Sequence, residues 1–102
     1  MSWAENELKV IRWAEDRRII PNSNPMAQAI KTHEELGELM SALHRCDHAE
    51  MVDAYGDILV TLIIGASLAD VDLTRCLEAA YEQIKDRRGT LRADGVFVKE
   101  SA

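Results

Sequence analysis

The chain has 102 residues and a formal charge of −6 at pH 7, with 47% hydrophobic and 29% charged residues. A chain of this length is expected to form one domain that buries only roughly two-thirds of its unfolded surface. The acidic balance argues against a general binder of nucleic-acid polymers, which presents a basic face. Two prolines, five glycines and abundant Ala, Leu and Glu favour an all-α fold. Cys46 and Cys76 lack a C-x-x-C spacing, so neither a zinc site nor a disulfide framework is indicated and a reducing, cytoplasmic setting is expected. The N-terminal MSWAENELKV carries no signal-peptide core. The apolar run from Ile58 to Leu68 is short of the ~20 residues that span a bilayer, so no membrane partner is expected.

Ser2 is a suitable N-cap for a first helix from about Trp3 to Arg18, with Leu8, Val10, Ile11, Trp13 and Ala14 on a broad amphipathic stripe. Trp3 and Trp13 read as core or interface residues, and Trp13 also as a side chain able to stack on a nucleobase. Ile20 to Pro25 reads as a loop. Asn24 and Pro25 then form the N-cap and first residue of a second helix reaching about Arg45. Gly37 inside it costs roughly 1 kcal/mol relative to alanine, which a close helix crossing would explain. His33, His44 and His48 show no ligand spacing. Asp47 caps a third helix from about His48 to Leu68, whose second half is apolar all round. One chain hardly covers such a helix, so a homodimer or dimer of dimers is expected. Asp70 or Asp72 caps a fourth helix to Arg88, with Gly89 as the residue after its end. Lys85, Arg87 and Arg88 in its last turns suit the helix dipole. The tail, residues 90–102, turns at Asp94-Gly95, and its Val96-Phe97-Val98 is expected to dock on the body or on a neighbouring subunit. The expected architecture is therefore a four-helix antiparallel bundle, residues 1–89, completed by homo-oligomerisation.

The chemistry-bearing stretch runs from Gln28 to Leu62. It holds two acidic clusters, Glu34-Glu35-Leu36-Gly37-Glu38 and Asp53-Ala54-Tyr55-Gly56-Asp57. At about 100° per residue, Glu35 and Glu38 lie about 60° apart on one helical face, with Gln28 and Lys31 on the same stripe. Asp53 and Asp57 stack one turn apart, and Glu50 extends their line. Carboxylates at these spacings repel one another, so a hard divalent cation, Mg2+ or Mn2+, is the expected partner. A solvated acidic face, or a dimeric helical module binding a basic partner without catalysis, is the alternative from the residues alone.

With Gly56-Asp57-Ile58-Leu59-Val60 following the first cluster, the chain resembles the MazG-type all-helical nucleoside triphosphate pyrophosphohydrolases, whose signature is E-x-x-E on one helix and E-x-x-D on the next. The run Ile84-Lys85-Asp86-Arg87-Arg88-Gly89 and then Asp94-Gly95-Val96-Phe97-Val98-Lys99 resembles the small single-domain members. Glu35 and Glu38 match the first pair and Asp57 the final aspartate. Position 54, where the pattern has glutamate, is alanine; Asp53 is the substitute, while Glu50-Met51-Val52-Asp53 spells E-x-x-D one turn early. The resemblance implies metal-dependent hydrolysis of a nucleoside triphosphate to monophosphate and pyrophosphate. It implies Glu35, Glu38, Asp53 and Asp57 as metal ligands and Glu34 as the catalytic residue orienting water. Lys85, Arg87, Arg88, Lys31 and Lys99 are available to the phosphates, with Gln28 and Trp13 as further substrate contacts. Glu82 stands where the family has an asparagine. A phosphoribosyl-ATP pyrophosphohydrolase, sharing scaffold and metal chemistry, is the alternative enzyme.

Overall fold

The computed structural model describes residues 1–101; Ala102, the last residue of the expected tail, lies outside the described residues. Helix α1 spans Trp3–Asp16, and Ser2 caps it by accepting from the Glu5 amide at 3.2 Å. It stops before the expected Arg18 because Arg18 adopts a left-handed conformation with φ 60°, the usual way a helix is closed. A short helix, α2 (Ile19–Asn22), occupies part of the expected loop; Ile20 inside it is extended, as suits a residue before proline. Helix α3 spans Pro25–His44 with the Asn24 side chain accepting from the Ala27 amide at 2.8 Å. Helix α4 spans His48–Leu68, capped by Asp47 accepting from the Glu50 amide at 3.1 Å. Helix α5 covers Leu73–Ile84, capped by Asp72. Asp70 is instead the left-handed residue that closes α4.

Beyond α5 the chain departs from the expected helix to Arg88. Strands β1 (Gly89–Leu91) and β2 (Phe97–Lys99) form an antiparallel hairpin, in the register Gly89 to Lys99, Thr90 to Val98 and Leu91 to Phe97. Gly89 is thus the first residue of a strand and not the end of a helix. A side chain there would run into the Val98 carbonyl and lie 2.6 Å from the Phe97 ring, so the glycine is needed for close approach.

Helix α4 is the centre of the fold: α1, α2, α3 and α5 all meet it, and its pairing with α3 is the most extensive. By length and composition α4 is apolar enough to cross a membrane, more than its run from Ile58 alone implied. It carries Glu50, Asp53 and Asp57, however, and buries Ala54, Thr61, Ile63 and Ile64 against its neighbours. Leu39 and Ala42 answer from α3, and Ala14 from α1. The close crossing lies at Gly65, where a Cβ would stand 3.3 Å from the Gln28 Cβ. At Gly37, where the crossing was expected, nothing comes within 4 Å. Beside the Gly65 crossing, the Thr32 and Thr61 hydroxyls lie 2.8 Å apart across the helix pair.

The all-α fold is as expected, but one chain does not close a four-helix bundle. Helix α5 meets only α4, and neither strand approaches any helix among the described residues. Leu77 is 72% exposed, and Tyr81, Ile84 and Phe97 are exposed too. An open apolar groove runs between Trp3, Leu59, Leu62, Leu73 and Leu77.

The Gly65 crossing carries a test. Gly65→Val adds two methyls where even a Cβ is tight, and should lower unfolding stability by about 1–3 kcal/mol. Gly37→Ala meets open space and should raise it by roughly 0.5–1 kcal/mol. Urea titrations of the two variants against the parent chain measure both.

Candidate active site

The turn Arg45-Cys46-Asp47 folds α4 back along α3. Cys46 takes the left-handed conformation (φ 55°) and the Asp47 amide donates to the Ala42 carbonyl at 3.1 Å. The two acidic clusters therefore face each other. Glu35 and Glu38 from α3, and Glu50, Asp53, Ala54 and Asp57 from α4, line one pocket of about 270 Å³. Ala54 is 4% exposed and forms its floor. A second pocket, of about 350 Å³, is lined by Lys9, Val10 and Trp13 from α1 with Asp57 and Val60 from α4. Asp57 belongs to both.

Charge in this site is poorly balanced. Burial pushes the Asp57 carboxyl above the usual aspartate range, and the charges of Asp53 and Glu35 push it the same way, against a smaller pull from Lys31. Lys31 pairs instead with Glu34 at 3.2 Å and Glu35 at 3.5 Å, at one end of the pocket. The hydrogen bond to Glu34, then the charges of Glu34 and Glu35, hold its ammonium group above the ordinary lysine range. At the other end, the Arg45 guanidinium donates to Glu50 at 2.6 Å, with Asp47 and Glu38 also near it.

Five carboxylates thus share a pocket with two cations at its ends. Among the described residues no three His, Cys, Asp or Glu side chains are drawn close enough to grip an ion as they stand. That is how like charges behave on adjacent turns. The donor set nonetheless fits a hard divalent cation: it is all oxygen, it comes from two facing helices, and its charge exceeds what Lys31 and Arg45 offset.

The structure brings together Glu35, Glu38, Asp53 and Asp57, with Trp13 beside Asp57 and Lys31 against Glu35. The Trp13 ring carries the Arg17 guanidinium 4.8 Å from its centroid, a cation–π arrangement. Glu34 lies outside the pocket, its side chain 61% exposed and bound to Lys31. Gln28 packs at the Gly65 crossing and donates to the Ser23 hydroxyl at 3.1 Å. Lys85, just past the end of α5, pairs with Glu82 at 2.8 Å. Arg87 and Arg88 precede β1 and Lys99 ends β2, so these four cations lie at the end of the chain that neither α3 nor α1 approaches. Sequence reasoning missed three lining or flanking residues: Glu50, Lys9 and Arg45. The signal for Glu50 was its place on the Asp53–Asp57 stripe; for Lys9, its position one turn before Trp13.

The raised Asp57 carboxyl sets a pH dependence. An acid raised in the folded state supports folding fully below its unfolded-state value, and that support is lost as pH rises through the folded value. Asp57→Asn removes the loss. It is expected to raise the melting temperature at neutral pH without divalent ions, with the gain fading below the ordinary aspartate range. Thermal melts of both proteins across that range check this; identical melts at neutral pH would contradict it.

Comparison with known proteins gives these features a setting. Residues 16–83 match the model of the family described as phosphoribosyl-ATP pyrophosphohydrolase. An uncharacterised 18.2 kDa protein from the rep–hol intergenic region of Haemophilus phage HP1 (strain HP1c1) is 38% identical over 61 residues. That alignment takes in 60% of this chain and 37% of the phage protein, so the chain spans well under half of that relative's length. Among solved structures, the cyanophage S-2L MazG-like pyrophosphohydrolase, bound to dGDP and three catalytic Mn2+ ions per active site, superposes with a TM-score of 0.77. The superposition covers 100% of this chain and 96% of that one at 22% identity, which establishes a shared fold. The family match takes in every carboxylate of the acidic pocket, and the chain belongs to the phosphoribosyl-ATP pyrophosphohydrolase family, in the MazG-like all-helical fold.

Proposed function

We propose that the chain hydrolyses a nucleoside triphosphate, standard or modified, to the monophosphate and pyrophosphate, using Mg2+ or Mn2+. The observation that carries this reading is the double pocket joined at Asp57, with carboxylates on one side and Trp13 with Lys9 on the other. Family membership supports it, as does the nucleotide and Mn2+ held by the cyanophage neighbour. Glu35, Glu38, Asp53 and Asp57 would hold the metal, whose chemistry is to screen the phosphates and lower the pKa of water. Glu34, next to Glu35 but tied to Lys31, is assigned the orientation of water. Lys31 and Lys9 approach the site from two helices and suit the phosphates, while Trp13 offers a stacking surface for the base. The family description favours phosphoribosyl-ATP as a second candidate substrate; pyrophosphate is the leaving product in either case.

Self-association is part of the same proposal. The exposed Leu77, Tyr81 and Ile84 on α5, together with the groove between Trp3 and Leu62, form an apolar face suited to a second copy. Lys85, Arg87, Arg88 and Lys99 would reach phosphates only across such an assembly. The formal charge of −6 is the support for excluding a nucleic-acid polymer as partner, and a cytoplasmic setting without a membrane partner is part of the proposal. The competing class, a dimeric interaction module without catalysis, has no need of a pocket beside Trp13.

Incubation with a panel of NTPs, dNTPs and phosphoribosyl-ATP plus Mg2+ is expected to yield pyrophosphate and a monophosphate. Orthophosphate as the product, or no turnover of any member, overturns the assignment. Asp57→Asn should abolish turnover, and Asp53→Asn should lower it by about 10–100-fold. Glu34→Gln should reduce kcat by about 100-fold or more while leaving Mn2+ affinity unchanged. For the assembly, light scattering at micromolar concentration should report a dimer or tetramer. Leu77→Glu, at a site 72% exposed in the single chain, should shift it to monomer with helicity retained.

A further inference from the structure

Ala54 stands where the pattern has a glutamate, and Asp53, its substitute in the ligand set, is one position off and has a side chain one carbon shorter. The Ala54 methyl group forms the floor and offers no oxygen. Yet the pocket has a fifth carboxylate: Glu50 lines it, one turn before Ala54 on the stripe that holds Asp53 and Asp57. Glu50 is not free. Its Oε2 accepts from Arg45 Nη2 at 2.6 Å, and Arg45 is itself steadied by its Nε donating to the Ser41 carbonyl at 3.3 Å. Glu38 lies near the same guanidinium. Arg45 belongs to the turn between α3 and α4, so the pair sits at the end of the pocket nearest that turn, opposite the Lys31 end.

We propose that Glu50 joins Asp53 in supplying the oxygen ligation that Ala54 cannot, and that Arg45 competes with the divalent cation for Glu50. This rests on the reading of the pocket as a divalent-cation site. The two halves of the inference share one atom pair: a guanidinium and a cation cannot both use the same carboxylate oxygen at full strength. Arg45 therefore neutralises Glu50 when the cation is absent, keeping the repulsion of five carboxylates tolerable, and weakens cation binding when it is present. Arg45 is in this sense a positioning residue, acting through Glu50.

The test is a double-mutant cycle read by Mn2+ binding, using calorimetry and the paramagnetic signal of free Mn2+, with circular dichroism confirming helicity in each variant. Glu50→Gln keeps the side-chain length and should weaken Mn2+ binding about tenfold or more. Arg45→Gln should tighten it several-fold. In the Glu50→Gln background, Arg45→Gln should give no such gain, because the contested carboxylate is gone. Adding Ala54→Glu to Glu50→Gln should restore affinity. Wild-type affinity in Glu50→Gln overturns the ligand assignment, and an equal gain from Arg45→Gln in both backgrounds overturns the competition, showing only a general charge effect. If the parent chain itself binds no Mn2+, the reading of the pocket fails and the inference falls with it. That outcome is distinguishable from a parent that binds and a Glu50→Gln variant that binds equally well.

Discussion

Everything in this fold depends on holding two acidic helix faces together against their own repulsion. The two halves of α4 divide that task. Its first half presents Glu50, Asp53 and Asp57, and its second half buries Thr61, Ile63 and Ile64 against α3 and α1. Burying an aliphatic side chain contributes roughly 1.5–3 kcal/mol, so the few residues of the second half can offset several unfavourable carboxylate pairs near the surface. The Gly65 crossing lets the backbones come close enough for this clamp to act. Asp57 stands at the boundary between the halves, which is why burial is the first cause of its raised carboxyl.

The same arrangement leaves acidic and basic side chains gathered in different parts of the chain. Carboxylates concentrate between α3 and α4, while Lys85, Arg87, Arg88 and Lys99 gather around the end of α5 and the hairpin. Helix α5 is capped and regular but meets only α4. Helix α5 is thus apolar along an exposed face and basic at its tip, a surface that the chain's other helices leave uncovered.

Much of this was legible in the sequence because helix starts are local. Ser2, Asn24 and Asp47 each accept from an amide within their own first turn, so residue type alone revealed them. Helix ends were harder. Arg18, Cys46 and Asp70 close α1, α3 and α4 in left-handed conformations that glycine usually fills, and no sequence rule singles out arginine or cysteine for that role. The end of α5 and the hairpin were misjudged for a related reason: Gly89 suits both a helix stop and a strand packed tightly on Phe97, and only the paired strand decides between them. That Glu35, Glu38, Asp53 and Asp57 would meet between two helices was legible from their spacing. Glu50 was visible on the same stripe, but its place in the pocket depends on how far α3 and α4 overlap, which is a tertiary quantity.

That overlap is governed by very little polar chemistry. Apolar side chains tolerate sliding, since one leucine or isoleucine surface resembles the next, whereas the Thr32–Thr61 hydroxyl pair exists at one axial offset only. A slip of one helical turn displaces every residue of α4 by about 5.4 Å relative to α3 and would set Glu38 beside a different carboxylate. The two hydroxyls, each also within 3 Å of a carbonyl of its own helix, act as a vernier mark between the helices: they contribute little cohesion, yet together with the tight Arg45–Asp47 turn they match the one offset at which these acids share a cavity.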